Sequence, residues 1–204
     1  MRSNDFNKIA FLYDRIARLV FSKRIIDSQK YFLNKIPMDS NILILGGGTG
    51  WILTEIFKIK NEVNICYIEA SERMIAMAKE KFENDNRVQF IHGTENDIPS
   101  RKYFDVVVTN FYLDLFPDDS LKIALETIKK STTEKTQWII TDFVNNEWWQ
   151  SMMLKLMYFF FRVTCNIAAQ KLPDWRKGLQ NVGGNEIDSK NYYGNFIQTS
   201  LFQF

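Results

Sequence analysis

The stretch Ile42-Leu43-Ile44-Leu45-Gly46-Gly47-Gly48-Thr49-Gly50 decides the fold. A short apolar run breaks directly into a glycine cluster, and a helix-like pattern follows from Trp51 to Lys58. That order reads as a buried parallel strand, a tight loop and a helix N-terminus aimed at a ligand. Glycine allows positive φ and lets a ligand approach without meeting a Cβ. The free N–H groups that open the helix favour a negatively charged or hydrogen-bond-accepting group. The dinucleotide fingerprint G-x-G-x-x-G needs glycine at 46, 48 and 51, but position 51 is Trp51. So large a side chain obstructs the close helix–strand packing that the third glycine serves. The spacing G-x-G-x-G, at Gly46, Gly48 and Gly50, is complete. Such a loop also fits a purely structural turn, so the rest of the chain must decide.

Outward from this loop, strands and helices alternate. Asn41–Leu45 is the first strand and Val63–Ile68 the second; a helix opens near Ser71, whose hydroxyl suits an N-cap. Val88–Ile91 and Phe104–Thr109 follow as strands. Asp118 or Asp119 caps a helix to about Lys130, and Gln137–Asp142 is the fifth strand. This βαβα rhythm predicts a doubly wound, mostly parallel sheet with helices on both faces. Upstream, residues 5–20 place Phe6, Ile9, Tyr13, Ile16 and Val20 on one helical face. A second helix runs from about Lys23 to Lys35 and stops near Pro37. Downstream, Trp148 to Ala169 is a long, nearly all-round apolar helix, and Asp174 to Val182 a short amphipathic one. After the break at Gly183-Gly184, Glu186–Tyr193 and Phe196–Phe204 read as an antiparallel hairpin closing the sheet edge.

A chain of 204 residues supports one sizeable core and is too short for two ordinary domains. We therefore expect one domain: a helical lid over 1–38, a ligand-binding core over 39–145, and substrate-side helices with the closing hairpin over 146–204. The net charge of +2, with no long block of like charges, argues against nucleic acid. The charge is nonetheless uneven, with eight basic residues against three acids between Met1 and Lys35. Cys66 and Cys165 lie in apolar contexts and read as buried small residues. One histidine, His92, excludes a His-rich metal site, and no metal is expected. No signal-peptide pattern opens the chain, so the expected location is cytoplasmic.

Glu69 stands 19 residues after Gly50, at the end of the second strand. A carboxylate there lies beside the glycine loop and can accept hydrogen bonds from both ribose hydroxyls of a nucleoside. It can equally complement the dipole of the helix that starts near Ser71. Together, the G-x-G-x-G spacing and the segment Tyr67-Ile68-Glu69-Ala70-Ser71-Glu72-Arg73-Met74 resemble the class I S-adenosylmethionine-dependent methyltransferases. That resemblance implies a Rossmann-like fold and a cofactor, S-adenosylmethionine, held by Gly46, Gly47, Gly48, Gly50, Glu69, Ala70 and Met74. It places Met74 on the adenine face, where a plain core methionine is the alternative.

The resemblance has departures. In His92-Gly93-Thr94-Glu95-Asn96-Asp97-Ile98-Pro99, family members often carry an acid where Thr94 stands, to receive the adenine amino group. Thr94 or Glu95 takes that role here. Members also carry an acid two residues before the first glycine, where this chain has Ile44. The methionine amino group then falls to a loop carbonyl or to the carbonyl of Asn110. Amine-methylating relatives show Asn/Asp-Pro-Pro-Tyr/Phe after the fourth strand, whereas Asn110-Phe111-Tyr112 lacks both prolines. This argues against nucleic-acid or protein amines. The opening Phe6-Asn7-Lys8-Ile9-Ala10-Phe11-Leu12-Tyr13-Asp14 is similar to that of the quinone-biosynthesis C-methyltransferases and related small-molecule enzymes. It implies a helix over the cofactor with Tyr13 near its methionine end.

The apolar helix is interrupted by Lys155 and Arg162, each costing about 2.5–3.5 kcal/mol near a bilayer centre, so it is not a membrane span. It is expected to line an apolar pocket with Trp148 and Trp149; together with the aromatic loop Phe111–Phe116 it predicts a hydrophobic or aromatic acceptor. Peripheral contact of this helix and the basic N-terminal helices with an anionic membrane stays open. Polar groups expected near the methyl site are Tyr112, Asp114 and Asp142, none assigned as catalytic. The reading is methyl transfer from S-adenosylmethionine to a small acceptor. Its rivals are a nucleoside-binding module without turnover and a nicotinamide-dependent oxidoreductase. The acceptor, the methylated atom and the oligomeric state are not legible.

Overall fold

A computed structural model describes residues 24–59, 62–165 and 167–204. Its centre is a seven-stranded sheet: β1 (Asn41–Leu45), β2 (Asn64–Glu69), β3 (Val88–His92), β4 (Val106–Asn110), β5 (Gln137–Phe143), β6 (Asn185–Tyr192) and β7 (Ile197–Gln203). The spatial order is β3-β2-β1-β4-β5-β7-β6. β1 to β5 are parallel, and β7 runs antiparallel to both its neighbours. The expected doubly wound sheet with a closing hairpin is therefore the observed architecture.

Period-2 alternation makes two cores from one sheet. Leu43, Leu45 and Val107 face one side, with Leu121 and Leu125 of α4 (Asp118–Lys129) and Leu179 of α6 (Trp175–Asn181). Ile42, Ile44 and Val108 face the other, with Ile52 and Ile56 of α2 (Trp51–Ile59) and Ala78 of α3 (Glu72–Phe82). Because both faces are covered at the centre of the sheet, β1 and β4 are largely apolar runs without polar alternation. A third cluster joins Leu154 and Tyr158 of α5 (Trp148–Cys165) to Ile25, Phe143 and Phe196. Ile25 belongs to residues 24–30, which are helical (α1).

Several boundaries differ from expectation. The helix expected to Lys35 gives way to a 3₁₀ turn, Leu33–Lys35. The tighter pitch stacks positions three apart, so Leu33 and Ile36 both reach the core. Neither Asp118 nor Asp119 caps α4: its N-cap is Pro117, and both acids lie in the first turn, where they complement the helix dipole. α5 stops at Cys165 instead of running to Ala169. Ser71 caps α3 as expected, its Oγ accepting from the Met74 N–H at 3.2 Å. Tyr13 and the amphipathic stretch 5–20 lie outside the described residues.

This topology lines up the carboxyl ends of β1, β2, β3 and β4. The strand order reverses between β1 and β4, which opens a crevice there, the usual ligand position in such sheets.

Candidate active site

At that crevice lies a cavity of about 250 Å³. Its floor is the glycine loop between β1 and α2, where Gly46, Gly48 and Gly50 have φ of 65°, 65° and 83°. A left-handed backbone at these positions requires glycine. Gly46, Gly47 and Gly50 each meet a different neighbour. A Cβ on Gly46 would come within 2.6 Å of the Tyr112 ring, and one on Gly47 within 2.1 Å of the Tyr67 ring. A Cβ on Gly50 would lie 2.9 Å from that of Ala78, so Gly50 serves packing and does not line the cavity. A Cβ on Gly48 would meet nothing within 4 Å. Gly48 is where a ligand could lie against bare backbone.

Glu69 ends β2 and is buried at 7% exposure. Its carboxylate accepts from the Gly48 N–H at 2.8 Å and from the Ser71 N–H at 2.7 Å. Burial raises its pKa, and these backbone donors oppose the rise. The Ala70 N–H acts on the same carboxylate, which keeps acceptor capacity for a hydroxyl in the cavity. The loop is also tied by its carbonyls: Tyr67 donates to Gly48 O at 2.9 Å, and Lys81 to Thr49 O at 2.9 Å.

Ala70, Met74, Thr94 and Glu95 line the same cavity. The Thr94 hydroxyl accepts from the Asn96 N–H as part of a capping box with Asp97. Glu95 Oε2 accepts from the Tyr112 hydroxyl at 2.7 Å, which joins the loops after β3 and β4 across the crevice. Burial and the Glu95 carboxylate push the Tyr112 pKa well up, so this hydroxyl stays protonated and serves as a donor. The Trp51 side chain, at the place of a third glycine, opens α2 and lines the cavity.

Asn110 ends β4 and lines the cavity, and its buried Oδ1 has no hydrogen-bond partner among the described residues. A buried acceptor left unpaired is costly and points to a missing donor. Next to it, Phe111 takes a left-handed φ of 50°, a strain of about 1–2 kcal/mol for a residue with a Cβ. Its N–H donates to Thr141 O at 2.7 Å, and its ring packs on Phe143 at 4.9 Å.

Asp142, Trp148 and Trp149, expected at the acceptor, are not among the cavity-lining residues. The Asp142 carboxylate accepts from the N–H groups of Leu113, Asp114 and Phe143, so it holds the 3₁₀ turn Leu113–Leu115 from behind. Trp148 is 76% exposed. Trp149 packs on Phe196 at 5.6 Å. Conversely, Ile25, Ile26 and Gln29 of α1 line the cavity without having been singled out, whereas Phe111, Tyr112 and Phe116 of the aromatic loop expected at the acceptor do line it. What the sequence did not carry is the left-handed backbone of Phe111, since a positive φ at a bulky residue leaves no trace there.

Residues 42–135 match a family model described as "Methyltransferase domain". Among curated proteins, the chain is 28% identical over 145 residues to carboxy-S-adenosyl-L-methionine synthase 1 of Yersinia pseudotuberculosis, covering 67% of this chain and 60% of that one. It is 29% identical over 114 residues to malonyl-[acyl-carrier protein] O-methyltransferase of Halalkalibacterium halodurans, covering 52% of this chain and 41% of that one. The chain thus spans about two-fifths to three-fifths of the length of these relatives. Among solved structures, the DhpI complex with S-adenosylhomocysteine shares the fold, with a TM-score of 0.72 at 13% identity over 99% of this chain and 94% of that one. The glycine cradle, the acid ending β2 and this sheet order agree with the match over residues 42–135, which carry a methyltransferase domain similar to the class I S-adenosylmethionine-dependent kind.

Proposed function

We propose that the protein transfers a methyl group from S-adenosylmethionine to a small, uncharged, apolar or aromatic acceptor. The observation that carries this reading is the uneven polarity of one cavity. Its two carboxylates stand at the end of β2 (Glu69) and just after β3 (Glu95), whereas Ile25, Ile26 and Phe111 bring apolar surface from the side of α5. No Lys or Arg is among the described residues that line it.

The polar groups fit the cofactor. Glu69 would take the ribose hydroxyls, Met74 the adenine face, and Thr94 or Glu95 the adenine amino group. Asn110 Oδ1 would accept from the methionine ammonium, replacing the acid that Ile44 displaces from the end of β1. When bound, S-adenosylmethionine supplies a methyl carbon already activated by a sulfonium. The chain's own work is then to orient the acceptor and exclude water. Phe111, strained and braced by Phe143, forms a rigid apolar wall for that purpose. A general base is needed only if the acceptor must lose a proton. Tyr112 is unsuited to that role, because its proton is held towards Glu95.

Carboxylated chemistry of the kind named for the Yersinia relative would bring a carboxylate into a cavity whose described walls offer no cation. A binding module without turnover is the second reading, motivated by the apolar Ile44. The test is incubation with methyl-labelled S-adenosylmethionine and separate lipid-soluble and aqueous metabolite extracts. Label entering the lipid-soluble small-molecule fraction is expected. Label confined to anionic metabolites, protein or nucleic acid would overturn the acceptor class. Binding with no release of S-adenosylhomocysteine from any fraction would favour the module.

A further inference from the structure

α5 buries one side and leaves the other bare. Leu154 and Tyr158 face inward with Ile25, Phe143 and Phe196, and the Tyr158 hydroxyl donates to Asp114 O at 3.0 Å. On the opposite side, Trp148, Met152, Leu156, Phe159 and Val163 are 76, 59, 64, 68 and 72% exposed. Their spacing of four, four, three and four residues draws one stripe along the helix. Eighteen residues extend about 27 Å, so the stripe is far longer than a chance surface residue requires. Large exposed apolar patches mark interaction sites.

The charges around the stripe choose the occupant. Lys155 and Arg162, seven apart, share one flank of it; both are exposed, and neither forms an ion pair among the described residues. α5 contains no acidic residue. Basic side chains beside a Trp/Phe/Leu face are the pattern of a helix lying in a lipid–water interface. No described helix is long and apolar enough to cross a membrane, so a spanning role is not the alternative. A second copy of the chain would set these cations against each other in a symmetric pairing, whereas an anionic bilayer satisfies both features at once.

We propose that α5 docks the protein in the plane of an anionic lipid surface. This rests on the apolar-acceptor reading and deepens it. The inner face of α5 shares a cluster with Ile25, Ile26 and Phe111, which wall the acceptor side of the cavity. Docking sets that wall beside the bilayer, and the acceptor is a lipid-dissolved molecule.

The test is co-sedimentation of the full chain with phosphatidylcholine vesicles, with and without phosphatidylglycerol. Binding is expected to the anionic vesicles and to fall on adding salt. Reversing both cations, Lys155→Glu with Arg162→Glu, should weaken it at least about tenfold. A second variant, Leu156→Ser with Phe159→Ser, should abolish it. Both must keep wild-type thermal response to S-adenosylhomocysteine, since none of the four side chains lines the cavity. Absent or charge-independent vesicle binding by protein that still binds S-adenosylhomocysteine overturns the docking alone. So does a wild-type dimer in sedimentation velocity that the Ser variant dissolves without any vesicle binding. Failure to bind S-adenosylhomocysteine would instead strike the functional reading beneath it.

Discussion

The Gly48 N–H donates to the Glu69 carboxylate at 2.8 Å, so the end of β2 fixes the bend that follows β1. Glu69→Gln replaces one acceptor with an NH₂ group that faces a backbone N–H. Hydrogen bonds to charged groups contribute about 1.5–3 kcal/mol, so affinity for S-adenosylhomocysteine should fall about 10- to 100-fold. Titration calorimetry measures this. Unchanged affinity would remove Glu69 from the binding machinery.

Two glycines of one loop should behave differently. Gly48→Ala strains a positive φ by about 1–2 kcal/mol and puts a methyl group into open cavity. It should weaken ligand binding more than folding. Gly50→Ala adds the same strain and drives the Cβ against Ala78, 2.9 Å away. Its melting temperature should fall further than that of Gly48→Ala, with a smaller change in ligand affinity once folded.

Asn110 offers a sharper test of which end of the cofactor it meets. Asn110→Leu removes a buried acceptor that has no partner among the described residues, so stability should be held or gained. Affinity for S-adenosylmethionine should drop about tenfold or more, as expected for losing a bond to an ammonium. Affinity for methylthioadenosine, which has no amino-acid portion, should not change. Equal losses for both ligands would assign Asn110 to the nucleoside end.

How much of this was legible in sequence follows from physical range. The glycine bend, the acid after β2 and the sheet were readable because each depends on short segments: apolar runs, turn residues and a capping serine. The hairpin was legible because Gly183-Gly184 and Gly194-Asn195 bracket two extended segments. Asp142 was placed at the acceptor because a strand-end carboxylate faces a crevice. Its actual partners, Leu113 and Asp114, are 29 and 28 residues away and unreadable from local pattern. Trp148 was expected inside because aromatic content alone cannot tell which side of a helix finds a partner.

The buried pair behind the loop makes stability depend on pH. Burial raises the Asp114 carboxyl from 3.8 to about 7, and burial with the Asp114 charge raises Asp142 as well. The folded state therefore keeps protons that the unfolded chain releases. This contribution to stability is complete below about pH 4 and is lost as pH rises towards about 7. Asp114→Asn should flatten that part of the thermal-stability profile and raise stability at about pH 8 by on the order of 1–4 kcal/mol. A profile identical to wild type would contradict a carboxyl buried in its neutral form.

On the proposed reading, the bend after β1 and the acid ending β2 together cradle S-adenosylmethionine. Calorimetry with S-adenosylhomocysteine, run on wild type, Glu69→Gln and Gly48→Ala, tests it most directly. One-to-one binding by the wild-type chain is expected, weakened in both variants, with no comparable heat from NADH. Wild-type protein that is folded yet binds no S-adenosylhomocysteine, or binds it undiminished in both variants, would contradict it.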